Sequence, residues 1–199
     1  MLQYTSSTPR DFPFTFLQRI TNDFCKERII GRGGFGVVYK DVHDNGEVVA
    51  VKKLYNLLGL DDGQFKNELL NLMRVQHPNI IRLVGYCSET RDVVVEHNGK
   101  LILASMEERA LCLEYMHGGT LDKLISDESS GLDWGARYKV IKGICKGLKH
   151  LHTGSKDPIY HLDLKPANIL LDKDMTPKIG DFGMSRLFGS GFSGRREGV

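Results

Sequence analysis

Three polar residues of different chemistry stand close together in the stretch HLDLKPANILL, residues 161–171. Asp163 can accept a proton, Lys165 carries a positive charge, and Asn168 offers an amide oxygen and an amide nitrogen. An acid, a base and an amide at this spacing indicate a functional site. Leu162, directly before the acid, is unexpected in such a site.

A glycine-rich stretch lies far upstream, where GRGGFG at 31–36 fits the pattern G-x-G-x-x-G. The pattern alone is weak in a chain with 22 glycines, and a purely structural turn would also explain it. In a Rossmann unit such glycines open a helix. Here a β-rich stretch follows, and then Asn45-Gly46, a dipeptide typical of hairpin turns. A glycine loop between antiparallel strands favours a flap whose backbone N–H groups approach phosphate oxygens.

Lys52 lies at the end of the second strand of this hairpin, in VAVKK. Because side chains alternate along a strand, Lys52 and Lys53 are expected on opposite faces of the sheet. A buried lysine needs an anionic partner to remain charged. Glu68 shares a helix face with the apolar Leu72. A glutamate on a helix is most often a surface residue, but beside Lys52 and a glycine flap the functional interpretation is the better one.

Hydrophobic periodicity predicts the elements that position these residues. Residues 29–54 are β-rich, and IIRLVGYC, KLILAS and ALCLEYM are three further strand-like runs that complete a five-stranded antiparallel sheet. Residues 1–24 are predicted to form a loose arm that ends in a short helix near 16–24.

Two longer helices are predicted. The first covers 61–76 and ends before Pro78, which disfavours helical geometry at His77. The second covers 133–152, because its apolar residues recur at spacings of three and four. The apolar residues of this second helix are Trp134, Ile141, Ile144, Leu148 and Leu151.

The bulk composition is that of an ordinary globular protein. The 199 residues, 41% hydrophobic and 26% charged, suffice for one domain or two small lobes. A net charge of +2 indicates neither a nucleic-acid binder nor a membrane-surface binder. The four cysteines lack CxxC spacing, which favours reduced thiols over zinc. No apolar run has the length of a membrane span and the N-terminus does not resemble a signal peptide, so a cytoplasmic location is predicted.

Taken together, the motifs resemble those of a eukaryotic protein kinase domain. The glycine loop with Val38, VAVK at 49–52, Glu68, HLDLKPAN, and DFG at 181–183 occur in the order of that family. The resemblance covers about 25–187. The stretches ITNDFCKERIIGRGGFGVVYK, GYCSE and EYMHGGTLDKLI are similar to the cytoplasmic kinase domains of plant receptor-like serine/threonine kinases.

The resemblance implies an α+β, two-lobed kinase-like fold. It implies an N-lobe with a five-stranded antiparallel sheet plus one helix, and a partial helical C-lobe. The expected organisation is an N-terminal arm at 1–24, an N-lobe at 25–115, and a partial C-lobe at 116–199 that ends in the activation segment.

The resemblance also implies a reaction, the transfer of the γ-phosphate of ATP to serine or threonine hydroxyls of a protein substrate, with ATP and Mg²⁺ as cofactors. Asp163 would accept the hydrogen bond and later the proton of the substrate hydroxyl, and Lys165 would reach the γ-phosphate. Lys52 would hold the α- and β-phosphates.

Further roles follow from the same resemblance. Glu68 would orient Lys52, while Asn168 and Asp181 would ligate Mg²⁺ through oxygen atoms. Leu113 would take the gatekeeper position, and the backbone of Glu114 and Met116 would hydrogen-bond the adenine. The residues expected at the nucleotide are Ile30, Gly31, Gly33, Gly34, Gly36, Val38, Ala50, Lys52, Leu113, Glu114, Met116 and Leu170. Leu72, His161 and Phe182 are expected to stack as a core.

The sequence departs from the family pattern at Leu162, where many members have an arginine that binds a phosphate on the activation segment. A leucine cannot pair with phosphate. We therefore expect that activity does not depend on phosphorylation of Ser190 or Ser193 through this contact.

A second departure concerns 184–199, the residues after Gly183, which contain no Ala-Pro-Glu motif. The expectation is a domain truncated within the activation segment, with apolar surface exposed on the 133–152 helix. A non-catalytic ATP-binding pseudokinase or decoy that acts through protein contacts is therefore the alternative function, and a product that never folds stably is a third.

Overall fold

The structure, a computed structural model, describes residues 8–42, 46–55, 63–126 and 132–187. These residues form two compact units. The first consists of the described residues up to Phe65 together with Leu83–Tyr115, and the second of Lys66–Arg82 together with the described residues from Met116 onward. The boundaries expected at 25 and 116 stay a prediction.

A six-stranded sheet forms the centre of the first unit, with the order β1-β5-β6-β4-β3-β2. All neighbouring pairs are antiparallel except β1 and β5, which are parallel. The strands are β1 (Arg10–Asp11), β2 (Ile29–Gly33), β3 (Gly36–Val42), β4 (Val48–Leu54), β5 (Leu83–His97) and β6 (Lys100–Glu114). The predicted α+β fold class is confirmed.

The strand assignment from the sequence was wrong in two details. The N-terminal arm contributes β1, which the sequence pattern did not indicate. The runs KLILAS and ALCLEYM lie in one strand, β6, which pairs with β5 from Leu83↔Leu113 to His97↔Lys100. Residues 106–109 continue the strand between the two runs, with Met106 and Glu107 exposed and Glu108 and Arg109 half-buried.

The N-terminal arm is packed against the sheet rather than loose. Its helix α1 (Phe14–Ile20) buries Phe14, Leu17 and Ile20, which are spaced by three and therefore share one helix face. These side chains join one hydrophobic cluster with Val37, Tyr39, Val49, Val51, Cys87, Ala110 and Cys112 of the sheet.

Lys53 lies on the sheet face that the arm covers. Its Nζ is 4.8 Å from the ring centroid of Phe14, 4.3 Å from that of Phe24, and 3.4 Å from Oε2 of Glu108. Two aromatic faces and a carboxylate thus stabilise the ammonium group at this half-buried position. The arm supplies both aromatic rings, which ties it to β4.

The second unit contains three helices and several short strands. Its helices are α2 (Gly63–Arg74), which begins in the first unit, α3 (Leu121–Ser126) and α4 (Trp134–Thr153). Its strands are β7 (Gly119–Thr120), β8 (Ile159–Tyr160), β9 (Ile169–Leu171), β10 (Pro177–Ile179) and β11 (Arg186–Leu187). They form the sheets β10-β9-β7 and β11-β8.

Helix α4 begins where the sequence predicts, because the side chain of Asp133 accepts a hydrogen bond of 2.7 Å from the Ala136 N–H and so caps the helix. The apolar stripe does not coincide with the buried side, since Trp134 is 75% and Ile141 is 53% exposed, which agrees with the apolar surface expected on this helix. The buried side consists of Val140, Gly143, Gly147 and Leu151.

The two glycines explain this difference. A Cβ on Gly147 would lie 2.8 Å from the Asn79 carbonyl oxygen and 2.9 Å from Cδ1 of Ile179. A Cβ on Gly143 would similarly meet Pro177 and Asn79. Helix α4 therefore approaches its neighbours through the residues without side chains, and an apolar stripe cannot reveal this contact.

Gly147→Ala is expected to destabilise the protein by about 1–3 kcal/mol, because the added methyl group has no room beside backbone. Urea unfolding of wild type and variant measures the loss. Gly135→Ala in the first turn of the same helix is the matched control, since its nearest neighbour is a side-chain oxygen at 3.4 Å. The control is expected to be neutral or stabilising by up to about 1 kcal/mol through helix propensity. Equal effects at the two sites would contradict the close approach at Gly147.

Candidate active site

Asp163, Lys165 and Asn168 form one hydrogen-bonded group in the second unit. Lys165 Nζ donates to Oδ2 of Asp163 at 2.8 Å, and Asn168 Nδ2 donates to the same oxygen at 3.0 Å. Asn168 Nδ2 also donates to the Asp163 carbonyl oxygen at 2.8 Å. The three residues that the sequence places within six positions of one another therefore also lie together in the structure.

The local backbone makes this grouping possible. Residues Pro166–Asn168 form a short 3₁₀ turn, in which the Asn168 N–H donates to the Lys165 carbonyl oxygen at 2.9 Å. The turn folds Asn168 back toward Asp163. Because the amide nitrogen of Asn168 contacts Asp163, its oxygen is the atom that a hard cation could take.

The charges of Asp163 and Lys165 support each other. The hydrogen bond from Lys165 is the main cause that lowers the pKa of the Asp163 carboxyl below its ordinary value, and Asn168 contributes in the same direction. The same bond raises the pKa of Lys165. Asp163 is therefore a carboxylate, and Lys165 an ammonium group, at neutral pH.

His161 connects this group to the DFG stretch. Its Nδ1 accepts a hydrogen bond of 3.3 Å from the Asp163 N–H, so Nε2 carries the proton and donates to the Gly180 carbonyl oxygen at 2.8 Å. Its ring meets that of Phe182 edge to face at 4.9 Å between centroids. Burial lowers the pKa of His161, which keeps the ring neutral. The expected contact of His161 with Phe182 is confirmed, and Leu72 is also buried.

Asp181 has an unusual backbone conformation, with φ at 61° in the left-handed region. Such a geometry in a residue other than glycine is strained and common at functional sites. A Cβ on Gly183 would lie 3.6 Å from Oδ1 of Asp181 and 3.8 Å from Oε2 of Glu68. The carboxylates of Asp181 and Glu68, the latter buried, therefore both lie beside Gly183.

Leu162 has the same left-handed backbone, at φ 61°, and its side chain is exposed. It therefore does not displace the Asp163 carboxylate from its partners. Ser190 and Ser193 lie outside the described residues, so the expectation about their phosphorylation stays a prediction.

In the first unit, most of the expected nucleotide residues share one face of the sheet. The pairs Gly31↔Val38, Val38↔Lys52 and Ala50↔Leu113 lie opposite each other on neighbouring strands, which puts their side chains on the same side. The other side carries Val37, Tyr39, Val49 and Val51, which pack on the arm. The arm thus covers the sheet face opposite to the one that carries Lys52.

The glycine loop joins β2 to β3, as expected from the antiparallel pattern. Gly36 has no room for a side chain, since a Cβ would lie 3.0 Å from the backbone of Leu54. A Cβ on Gly33 or Gly34 would meet nothing within 4 Å. Internal packing therefore does not require glycine at 33 or 34, and their role at the phosphates stays a prediction.

The predicted residues fall into two groups, one in each unit. The first unit contains Ile30, Gly31, Gly33, Gly34, Gly36, Val38, Ala50, Lys52, Leu113 and Glu114. The second contains Glu68, Met116, Asp163, Lys165, Asn168, Leu170 and Asp181. The pairing of Lys52 with Glu68 joins residues of different units and stays a prediction.

Sequence reasoning missed three residues that form a hydrogen-bonded network on residues 182–185, namely Asn67, Asn71 and Ser185. A signal for two of them was present. Asn67 and Asn71 are four apart and lie next to Glu68 and Leu72, so they share the buried side of α2.

The model of the protein kinase domain family matches residues 24–196 of the chain. Cysteine-rich receptor-like protein kinase 29 of Arabidopsis thaliana is 44% identical over 180 residues, which cover 89% of this chain and 24% of that protein. A G-type lectin S-receptor-like serine/threonine-protein kinase of the same plant is 44% identical over 171 residues, 85% of this chain and 18% of the relative.

Similarity extends to rice, where cysteine-rich receptor-like protein kinase 6 of Oryza sativa subsp. japonica is 42% identical over 171 residues, 85% of this chain and 22% of the relative. The chain thus spans about a quarter or less of the length of these curated relatives. The expectation that it is truncated stays a prediction. None of the helices in the described part of the chain is both long and apolar enough to cross a membrane.

Proposed function

Because the chain belongs to the protein kinase domain family, we propose that it transfers the γ-phosphate of ATP to serine or threonine hydroxyls of protein substrates. The observation that carries the proposal is the Asp163 carboxylate held between Lys165 and Asn168. The serine/threonine preference is supported by the name of the lectin-type relative and by the lysine in DLKPAN.

Asp163 would orient the substrate hydroxyl and accept its proton. A carboxylate that is already ionised at neutral pH can act as an acceptor without first losing a proton. Lys165, whose ammonium group contacts Asp163, would neutralise negative charge on the transferring phosphoryl group. Positioning and charge neutralisation are most of what phosphoryl transfer asks of a protein.

The family implies the use of ATP with a divalent metal ion, and the donor set fits Mg²⁺. Asn168 offers an amide oxygen and Asp181 a carboxylate, both hard oxygen ligands. When bound, Mg²⁺ would neutralise charge on the phosphates. His161 links the two segments that carry these residues, because its Nε2 donates a hydrogen bond to the carbonyl oxygen of Gly180, the residue before Asp181.

The nucleotide would lie on the sheet face of the first unit that carries Lys52. Val38, Ala50 and Leu113 would supply apolar contact to the adenine, together with Ile30 above and Leu170 below. Gly31, Gly33, Gly34 and Gly36 would let backbone N–H groups approach the phosphates. Glu114 and Met116 would supply backbone hydrogen bonds, and Glu68 would orient Lys52.

The proposed partner is a protein substrate. By analogy with receptor-like kinases, whose kinase domains are cytoplasmic, we place the chain in the cytoplasm. The alternative, a non-catalytic ATP-binding pseudokinase or decoy, is not better supported, because the polar residues of the Asp163 group are all present and hydrogen-bonded.

Incubation of the purified chain with Mg²⁺, γ-labelled ATP and a generic basic protein tests the proposal. We expect label on serine or threonine of the added protein, identified by mass spectrometry, and no label when EDTA removes the metal. Label no greater than that obtained with Asp163→Asn would support the non-catalytic alternative. Absence of a thermal unfolding transition, even with ATP added, would instead support the reading that the chain does not fold stably.

A further inference from the structure

Asn67 on helix α2 binds the backbone of the DFG stretch directly. Its Nδ2 donates to the Ser185 carbonyl oxygen at 2.5 Å and to the Gly183 carbonyl oxygen at 3.2 Å, with the Phe182 carbonyl oxygen at 3.4 Å. One side-chain amide thus faces three carbonyl groups within residues 182–185. These carbonyls can approach a single nitrogen only in one backbone arrangement.

Asn71, one helical turn later, completes the arrangement. Its Nδ2 donates to Oγ of Ser185 at 2.7 Å and to Oδ1 of Asn67 at 3.2 Å. Ser185 Oγ in turn donates to the Phe182 carbonyl oxygen at 2.5 Å. The Ser185 hydroxyl therefore accepts one hydrogen bond and donates another.

Two members of the network are buried, with Asn71 3% and Ser185 0% exposed, and Asn67 is half-buried. Burial of these polar side chains costs free energy unless each finds a hydrogen-bond partner, and apolar replacements would leave the backbone carbonyls without these donors. The network with the carbonyls also has a conformational effect. It specifies one conformation of the segment, because each carbonyl that moves leaves a buried donor unsatisfied.

The segment so held carries the residues next to Asp181. Phe182 rests on His161, and Asp181 itself has the strained left-handed φ of 61°. A strained backbone persists only where its surroundings over-determine it. The hydrogen bonds to Phe182, Gly183 and Ser185 are a source of that constraint, and all of them come from one helix face.

We propose that Asn67, Asn71 and Ser185 form a clasp that positions Asp181 for a divalent cation. They are positioning residues, since none of them would touch the substrate or the metal. The metal part of this inference rests on the proposed function. The conformational part does not, because it concerns only the geometry of residues 181–185.

Asn67→Asp in the full chain is the sharpest variant. It keeps the shape of the side chain but replaces the donor nitrogen by an oxygen that faces carbonyl oxygens. Leu70→Ala, on the same helix at a side chain that is 51% exposed, is the matched control. Ser185→Ala, which removes only a hydroxyl, is the second variant and is expected to act in the same direction with a smaller effect.

Two measurements test the clasp. Amide hydrogen exchange at 182–186 is expected to become about tenfold faster or more in Asn67→Asp, since an unpaired buried polar group opens the segment. The Mg²⁺ concentration for half-maximal ATP binding is expected to rise about 5- to 20-fold, the range of a typical coupling between sites. Leu70→Ala should leave both within about twofold of wild type.

A merely structural role would lower the melting temperature of Asn67→Asp without moving either quantity, and that result would overturn the proposal. If Asn67→Asp does not fold, unchanged exchange and Mg²⁺ dependence in Ser185→Ala would overturn it as well. Failure of the wild type to transfer phosphate would refute the proposed function alone, because the exchange measurement does not require catalysis. Full phosphotransfer with wild-type Mg²⁺ dependence in both clasp variants would refute the clasp alone.

Discussion

Asp163→Asn is expected to lower kcat for phosphotransfer about 10²–10⁴-fold, the usual contribution of a general base. The amide has the same shape but cannot accept the proton of the substrate hydroxyl. Lys165 Nζ and Asn168 Nδ2, which now donate to Oδ2 of Asp163, would also lose a charged acceptor. Steady-state rates with γ-labelled ATP and a basic protein measure the loss.

The kinetic constant that changes distinguishes a loss of the general base from a general loss of activity. Because the carboxylate would act on the substrate hydroxyl rather than on the adenine, the KM for ATP should change little while kcat falls. Asp174→Asn is the matched control, since Asp174 is exposed in the same unit and the same charge is removed. Equal losses in the two variants would rule out a special role for Asp163.

The pH dependence adds an independent check. Interaction with Lys165 lowers the pKa of Asp163, so the carboxylate remains ionised as the pH falls from 8 to 5. We therefore expect no loss of wild-type kcat/KM in this range from protonation of Asp163. The assignment would be contradicted if wild-type kcat/KM declined between pH 8 and pH 5 while the residual kcat/KM of Asp163→Asn did not.

Leu17→Ala is expected to destabilise the protein by about 2–5 kcal/mol, the usual cost of removing a large side chain from a core. Leu17 is 0% exposed and lies in the cluster that joins α1 to β3 and β4. Equilibrium urea unfolding followed by circular dichroism measures the change. The affected helix lies before residue 24, where the match to the kinase family model begins.

Thr15→Ala on the same helix provides the control, because Thr15 is exposed and its replacement should change stability by less than about 0.5 kcal/mol. A loss below about 1 kcal/mol for Leu17→Ala would mean that α1 does not contribute to the core of the first unit. A large loss would show that residues 14–20 are part of the folded unit, and that a variant starting at residue 25 would expose apolar surface of the sheet.

Short-range patterns in the sequence determined much of the site. Asp163, Lys165 and Asn168 are separated by so few residues that a single 3₁₀ turn brings them together, and their grouping could be predicted. The antiparallel order around the glycine loop and the opposite faces of Lys52 and Lys53 also follow from local rules of strand geometry. The fold class followed from the resemblance that these motifs carry.

Only the tertiary structure decided which surfaces meet. The arm could be recognised as a short helix, but its strand β1 needs a partner in β5 that lies more than seventy residues away. The buried face of α4 contains Gly143 and Gly147, because backbones approach most closely where side chains are missing. A pattern of apolar side chains does not indicate a contact that is made by glycines.

The clasp of Asn67, Asn71 and Ser185 also combines a feature that the sequence determines with one that only the tertiary structure decides. The sequence determined that both asparagines share a face of α2, since residues four apart lie together on any helix. It did not determine their partners, which are backbone carbonyls more than a hundred residues further along the chain. Backbone groups are the same at every position, so no sequence pattern distinguishes the carbonyls that will be bound; only the folded chain places them within reach.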